Sequence, residues 1–87
     1  MEKTYKIFLT DTALKNLEPL PDKHIKKILD SIGHLEVFPE MGYSIQKPTW
    51  KEYRQLIIDQ YRVIYRINDE KHKIYIHIIQ HGNMNFK

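Results

Sequence analysis

The chain has 87 residues, 41% of them hydrophobic and 11% aromatic, with a net charge of +3 from fourteen Lys and Arg against eleven Asp and Glu. That length allows one small domain with a single thin core, and the composition argues against disorder. Without cysteine neither a disulfide framework nor a zinc-thiolate site can form. No apolar run approaches the roughly 20 residues of a membrane span, and the N-terminus lacks a signal-peptide core, so a soluble cytoplasmic protein is expected. The cationic excess permits contact with nucleic acid or an acidic protein without requiring either.

Residues 4–10 alternate Tyr5, Ile7 and Leu9 against Lys6, Phe8 and Thr10, the period of a half-buried strand. Thr10-Asp11 supplies a helix N-cap, and Ala13, Leu14 and Leu17 then predict a short helix that Pro19 and Pro21 stop. Pro21 suits the start of a second helix. Ile25, Ile28, Leu29, Ile32 and Leu35 form its apolar stripe. Gly33 weakens that helix, and Pro39 forbids it from passing Phe38. The two helices form an antiparallel hairpin expected to cover one face of a sheet. Residues 39–51, with two prolines and Gly42, read as a loop in which Tyr43 and Trp50 plug the core edge.

Three strand-like runs follow: 53–59 (YRQLIID), 61–68 (YRVIYRIN) and 73–82 (KIYIHIIQHG). Short polar turns between them predict an antiparallel meander, giving the order β-α-α-β-β-β in an α+β domain spanning residues 1–87. A tight connection at Asp59-Gln60 sets Ile58 opposite Tyr61, Leu56 opposite Val63 and Arg54 opposite Tyr65. Leu56, Ile58, Tyr61, Val63, Tyr65 and Ile67 then share the helix-covered face, joined by Ile74, Ile76 and Ile78. The opposite face receives Tyr53, Gln55, Ile57, Arg62, Ile64 and Arg66, with Tyr75, His77, Ile79 and His81. A one-residue slip would invert a whole strand.

Taken by themselves, Arg62 and Arg66 are as well explained by cross-strand partners such as Asp59 or Glu70, and His77 by packing over Ile64. His77 and His81 lie four residues apart on a strand, roughly 13 Å at about 3.3 Å per residue, too far to share one metal ion. There is no Gly-rich phosphate loop and no nucleophilic triad pattern. No metal and no small-molecule cofactor are expected.

The three runs together resemble the second to fourth strands of the RelE/ParE superfamily, the toxins of bacterial type II toxin–antitoxin systems. The likeness rests on Arg54-Gln55-Leu56, on Tyr61-Arg62-Val63-Ile64-Tyr65-Arg66-Ile67 and on His81-Gly82, and is similar to the ParE/StbE-like branch. It implies a twisted antiparallel sheet with a helical hairpin on one face. It also implies a growth-inhibiting toxin held in check by a cognate antitoxin, which would be acidic and partly disordered.

Two activities accompany that scaffold: cleavage of messenger RNA on the ribosome, and poisoning of DNA gyrase. Cleavage by 2′-hydroxyl attack needs cations at the scissile phosphate, a base and an acid. The resemblance offers Arg62, Arg66 and His81 as catalytic groups if the protein is a nuclease, and Arg54, Arg62, Arg66 and His77 as target-binding or nucleic-acid-binding groups. An arginine expected after His81-Gly82 is replaced by Met84, or by Asn83 in another register, and Phe86 stands where a tyrosine hydroxyl is expected. These losses favour gyrase over the ribosome and its mRNA as target, with mRNA endonuclease as the alternative and an inactive antitoxin-binding member as a third reading.

Overall fold

The computed structural model describes residues 4–82. Strand β1 (Lys6–Leu9) leads into helices α1 (Asp11–Leu17) and α2 (Asp22–Gly33) and a 3-10 turn at His34–Glu36. Strand β2 (Tyr43–Ser44) precedes a second 3-10 turn at Pro48–Trp50, then β3 (Tyr53–Ile58), β4 (Tyr61–Asn68) and β5 (Lys73–His81). The five strands lie in the order β1-β5-β4-β3-β2. β2, β3, β4 and β5 pair antiparallel, whereas β1 joins β5 in parallel.

The meander and helical hairpin agree with expectation, and the sheet differs at both edges. β1 runs parallel to β5, making the sheet mixed. Residues 43–44, expected in a loop, form a short fifth strand on β3. Tyr43 is 70% exposed rather than a plug.

Thr10 caps α1 as its position predicts: its Oγ1 accepts from the Ala13 N–H at 3.2 Å and donates to the His77 carbonyl at 3.0 Å. Thr10→Ala removes both bonds and is expected to lower stability by about 1–2 kcal/mol in urea unfolding. On α2 the stripe is narrower than the spacing suggests, with Ile28 and Ile32 buried and Leu29 42% exposed. Leu35, in the 3-10 turn that ends α2, is fully buried.

The core lies between the helices and one face of the sheet. It joins Ala13, Leu17, Ile28, Ile32 and Leu35 to Leu56, Ile58, Tyr61, Val63, Tyr65, Ile74, Ile76 and Ile79. A fully enclosed side chain such as Ile28 or Ile76 contributes roughly 1.5–3 kcal/mol. The pairing of β3 with β4 is the expected one, with Ile58 against Tyr61, Leu56 against Val63 and Arg54 against Tyr65. Asp59 takes a positive φ of 53° in the connecting turn, a conformation that Asp tolerates better than most residues.

The second half of β5 departs from the expected register. Ile64 pairs with Ile78 while its neighbour Tyr65 pairs with Ile76, leaving His77 as an extra residue in a β-bulge. The bulge turns Ile79 into the core opposite Val63 and puts His81 opposite Tyr61; Ile78 and Gln80 move to the other face. Ile78 and Ile79 therefore exchange their expected faces. The cause lies where β1 ends: beyond Leu9, among the described residues, the outer edge of β5 has no strand beside it. Instead, Thr10 N–H bonds the Ile76 carbonyl at 3.0 Å, the Thr10 hydroxyl bonds the His77 carbonyl, and Asn16 Oδ1 accepts the Ile79 N–H at 3.0 Å. Helix α1 thus satisfies the backbone that the ladder leaves, and holds the bulge in place.

Candidate functional site

The face of the sheet away from the helices gathers the cationic and aromatic side chains of the candidate site. Successive cross-strand pairs place Tyr53, Arg66, Tyr75 and Phe8 in one row across β3, β4, β5 and β1. The Arg66 guanidinium carbon lies 5.8 Å from the centre of the Tyr75 ring. Trp50, on the turn before β3, meets Tyr53 edge-on at 5.1 Å, and Tyr53 meets His77 edge-on at 5.0 Å. The bulge is what delivers His77 to this cluster. Arg62 stands on the same face, paired with Ile57 and Gln80.

Burial within this cluster is only partly compensated. Among the described residues, Gln55 Oε1, Arg66 Nε and His77 Nε2 are enclosed without a hydrogen-bond partner. Each such atom costs about 1–3 kcal/mol relative to a satisfied one. Three such atoms on one face make this surface the candidate site.

Burial, reinforced by the Arg66 charge, holds the His77 pKa below the ordinary histidine value of 6.5. The imidazole is therefore neutral at pH 7 and able to accept a proton. The folded state resists protonation at His77 more than the unfolded chain does, so acidification below about pH 6.5 favours unfolding until the folded pKa is passed. Urea midpoints should fall between about pH 7 and 5, and His77→Gln should flatten that part of the profile.

The residues singled out in the sequence divide into two groups. Arg62, Arg66 and His77 share the helix-free face. His81, expected with them, is turned by the bulge to the helix side, its ring 5.9 Å from that of Tyr61. There it lines a groove of about 420 Å³ with Thr12, Lys15 and Leu20, and Tyr61 bonds His24 at 2.8 Å. Arg54 reaches the loop that precedes β3. Its guanidinium donates to the Gly42 carbonyl at 2.9 and 3.1 Å and to the Glu40 carbonyl at 3.2 Å. The anticipated pairing of Asp59 with an arginine is replaced by an ion pair with Lys27 at 2.9 Å. Met84, Asn83 and Phe86 lie outside the described residues. Trp50 is expected from the sequence only as a plug of the core edge, and Tyr53 only as a neighbour of the arginines without a role. The alternation Tyr53, Gln55, Ile57 already placed Tyr53 beside the arginines and was the available signal.

A helical hairpin on a sheet of this strand order, with cations and aromatics on the free face, defines a small toxin of the RelE/ParE type. The chain belongs to the family of ParE toxins of type II toxin–antitoxin systems (parDE), whose family model matches residues 7–86. It is similar in structure to a chain of the RelBE2 toxin–antitoxin complex of Mycobacterium tuberculosis, with a TM-score of 0.82, 25% identity, and coverage of 90% of this chain and 98% of that one. The archaeal RelE–RelB complex of Pyrococcus horikoshii OT3 gives 0.76 at 22% identity, covering 94% and 99%. The chromosomal ParDE system of P. aeruginosa gives 0.72 at 16% identity, covering 90% and 96%. Among curated proteins no sequence matches this chain. The protein is thus a toxin component of a type II system. Among the described residues, no helix is long and apolar enough to cross a membrane.

Proposed function

We propose that this toxin cleaves messenger RNA on the ribosome, using the helix-free face, and that a cognate antitoxin neutralises it. The observation that carries the reading is the approach of His77 to Tyr53, with Arg66 on the same face and close enough to lower the histidine pKa. In RNA cleavage the 2′-oxygen attacks the adjacent phosphorus, the bond from phosphorus to the 5′-oxygen breaks, and a 2′,3′-cyclic phosphate and a 5′-hydroxyl result. The 2′-proton must be taken up, and a proton must reach the departing 5′-oxygen. Neutral His77 suits the first task and the Tyr53 hydroxyl the second, while Arg66 and Arg62 face the charge that develops on the phosphate. Stacking of bases on Trp50 or Tyr53 is the ordinary way a protein holds single-stranded RNA.

The antitoxin part of the proposal is supported by the RelBE2, RelE–RelB and ParDE structures, which are of toxin–antitoxin systems. DNA gyrase as the target is the second reading. It is favoured by the place of His81, which leaves the arginines without the histidine that the resemblance supplied.

One pair of assays separates the two. Purified toxin is added to programmed ribosomes with primer-extension readout, and to gyrase with a supercoiling readout. Cleavage in the first without inhibition in the second supports the proposal. Inhibition of gyrase without cleavage replaces it by the second reading, and silence in both together with tight antitoxin binding leaves the inactive-member reading.

A further inference from the structure

The far end of the aromatic row has no part in the chemistry just described. There Phe8 is 41% exposed on β1 and stacks on Tyr75 with ring centres 5.7 Å apart and planes 25° from parallel. Lys73 places its ammonium 5.5 Å from the centre of the Phe8 ring. Lys6 and Lys73 are direct cross-strand partners. With the period-2 alternation of a strand, they occupy the same face as Phe8 and Tyr75.

Two lysines directly opposite each other repel, an arrangement strands avoid unless something anionic joins them. Neither is in an ion pair among the described residues. The nearby Asp69 already has an oxygen engaged by the Tyr5 hydroxyl at 2.7 Å.

We propose that Phe8, Tyr75, Lys6 and Lys73 form a subsite for a nucleotide of single-stranded RNA that flanks the cleavage position. The base lies on the Phe8 ring and its phosphate between the two lysines. The row Phe8, Tyr75, Arg66, Tyr53 makes the subsite continuous with the proposed centre. Charge selects the occupant: the two lysines and Arg66 are cations, and the interleaved rings suit bases better than carboxylates. The inference rests on the RNA reading of the helix-free face and adds to it a grip on the chain beside the scissile bond.

The test is fluorescence anisotropy with a labelled single-stranded oligoribonucleotide of about 10 nucleotides, titrated with wild-type protein and with Phe8→Leu and Lys6→Gln/Lys73→Gln variants. Thermal unfolding checks that each variant folds. Phe8→Leu is expected to weaken binding about fivefold or more, since a base then loses its stacking partner. The double lysine variant should weaken it similarly and make the salt dependence shallower by about 0.7 for each phosphate that is no longer neutralised. Wild-type affinity and salt slope in both folded variants would overturn the subsite while leaving the RNA reading standing. No binding of RNA by the wild type would overturn that reading and the subsite with it. Variants that lose affinity for polyglutamate but keep it for RNA would assign the patch to an acidic protein and overturn the proposal.

Discussion

Arg66→Ala is expected to lower RNA cleavage on programmed ribosomes by about 10²–10³-fold, the usual effect of removing one donor from a developing oxyanion. The loss should fall on the chemical step, because Arg66 stands at the centre of the row between Tyr53 and Tyr75. The fold should hardly notice. Arg66 is half-buried and, among the described residues, its Nε bonds nothing, so the substitution removes the packing of the guanidinium on Tyr75, worth about 0.5–1 kcal/mol. Arg66→Lys keeps the charge but not the planar fork, and an intermediate rate is expected from it. Primer extension measures the rates, and urea unfolding of the same preparations shows that the site and not the fold was changed.

Gly42→Ala is expected to be the most damaging single-methyl change, at about 2–4 kcal/mol. A Cβ at Gly42 would stand 2.6 Å from the Gln55 carbonyl oxygen, 2.7 Å from the Tyr65 hydroxyl and 2.9 Å from the Tyr65 ring. The first obstacle is sheet backbone and the second is a fully buried side chain, so neither can yield cheaply. The collision breaks a closed set of bonds. The Tyr65 hydroxyl accepts from the Gly42 N–H at 2.9 Å and donates to the Pro39 carbonyl at 2.8 Å, while Arg54 holds the Gly42 carbonyl. Desolvation raises the Tyr65 pKa despite the opposing pull of Gly42 and Arg54, so the hydroxyl keeps its proton and the donor role. Tyr65→Phe, which keeps the ring and leaves the Gly42 N–H and Pro39 carbonyl unmet, should cost less, about 1–2 kcal/mol. Denaturant unfolding of the two variants orders them.

Tyr65 also shows what a sequence can and cannot disclose. Its place in the core followed from alternation along 61–67, and its partner on β3 followed from the two-residue turn at Asp59-Gln60. What its hydroxyl would do did not, because Gly42 and Pro39 are more than twenty residues away in a stretch without period. The partners of Arg54 were hidden for the same reason: they are carbonyls of that loop. The two-residue strand β2 is too short for any alternation to register, and nothing local tells β1 whether to run with or against β5.

The misplacement of His81 had a visible cause. Along β5 the apolar positions run Ile74, Ile76, Ile78, Ile79, and the doublet at the end breaks the period of two. Either isoleucine could face the core, and the strict alternation chose Ile78. A doublet inside an alternating run is what a β-bulge looks like in sequence. Thr10 and Asn16 decide the matter from helix α1 by bonding the backbone at His77 and Ile79. The candidate site was accordingly half legible. The arginines and His77 were on the correct face, Tyr53 was beside them without a role, and His81 was on the wrong side.

That separation of His77 from His81 is the centre of the account, and the most direct measurement compares them. His77→Gln and His81→Gln are assayed side by side for mRNA cleavage on programmed ribosomes. Loss of about 10²-fold or more in His77→Gln, with His81→Gln close to wild type, is the result expected of a working face built around the bulge. Near-normal cleavage in His77→Gln with loss in His81→Gln would contradict it.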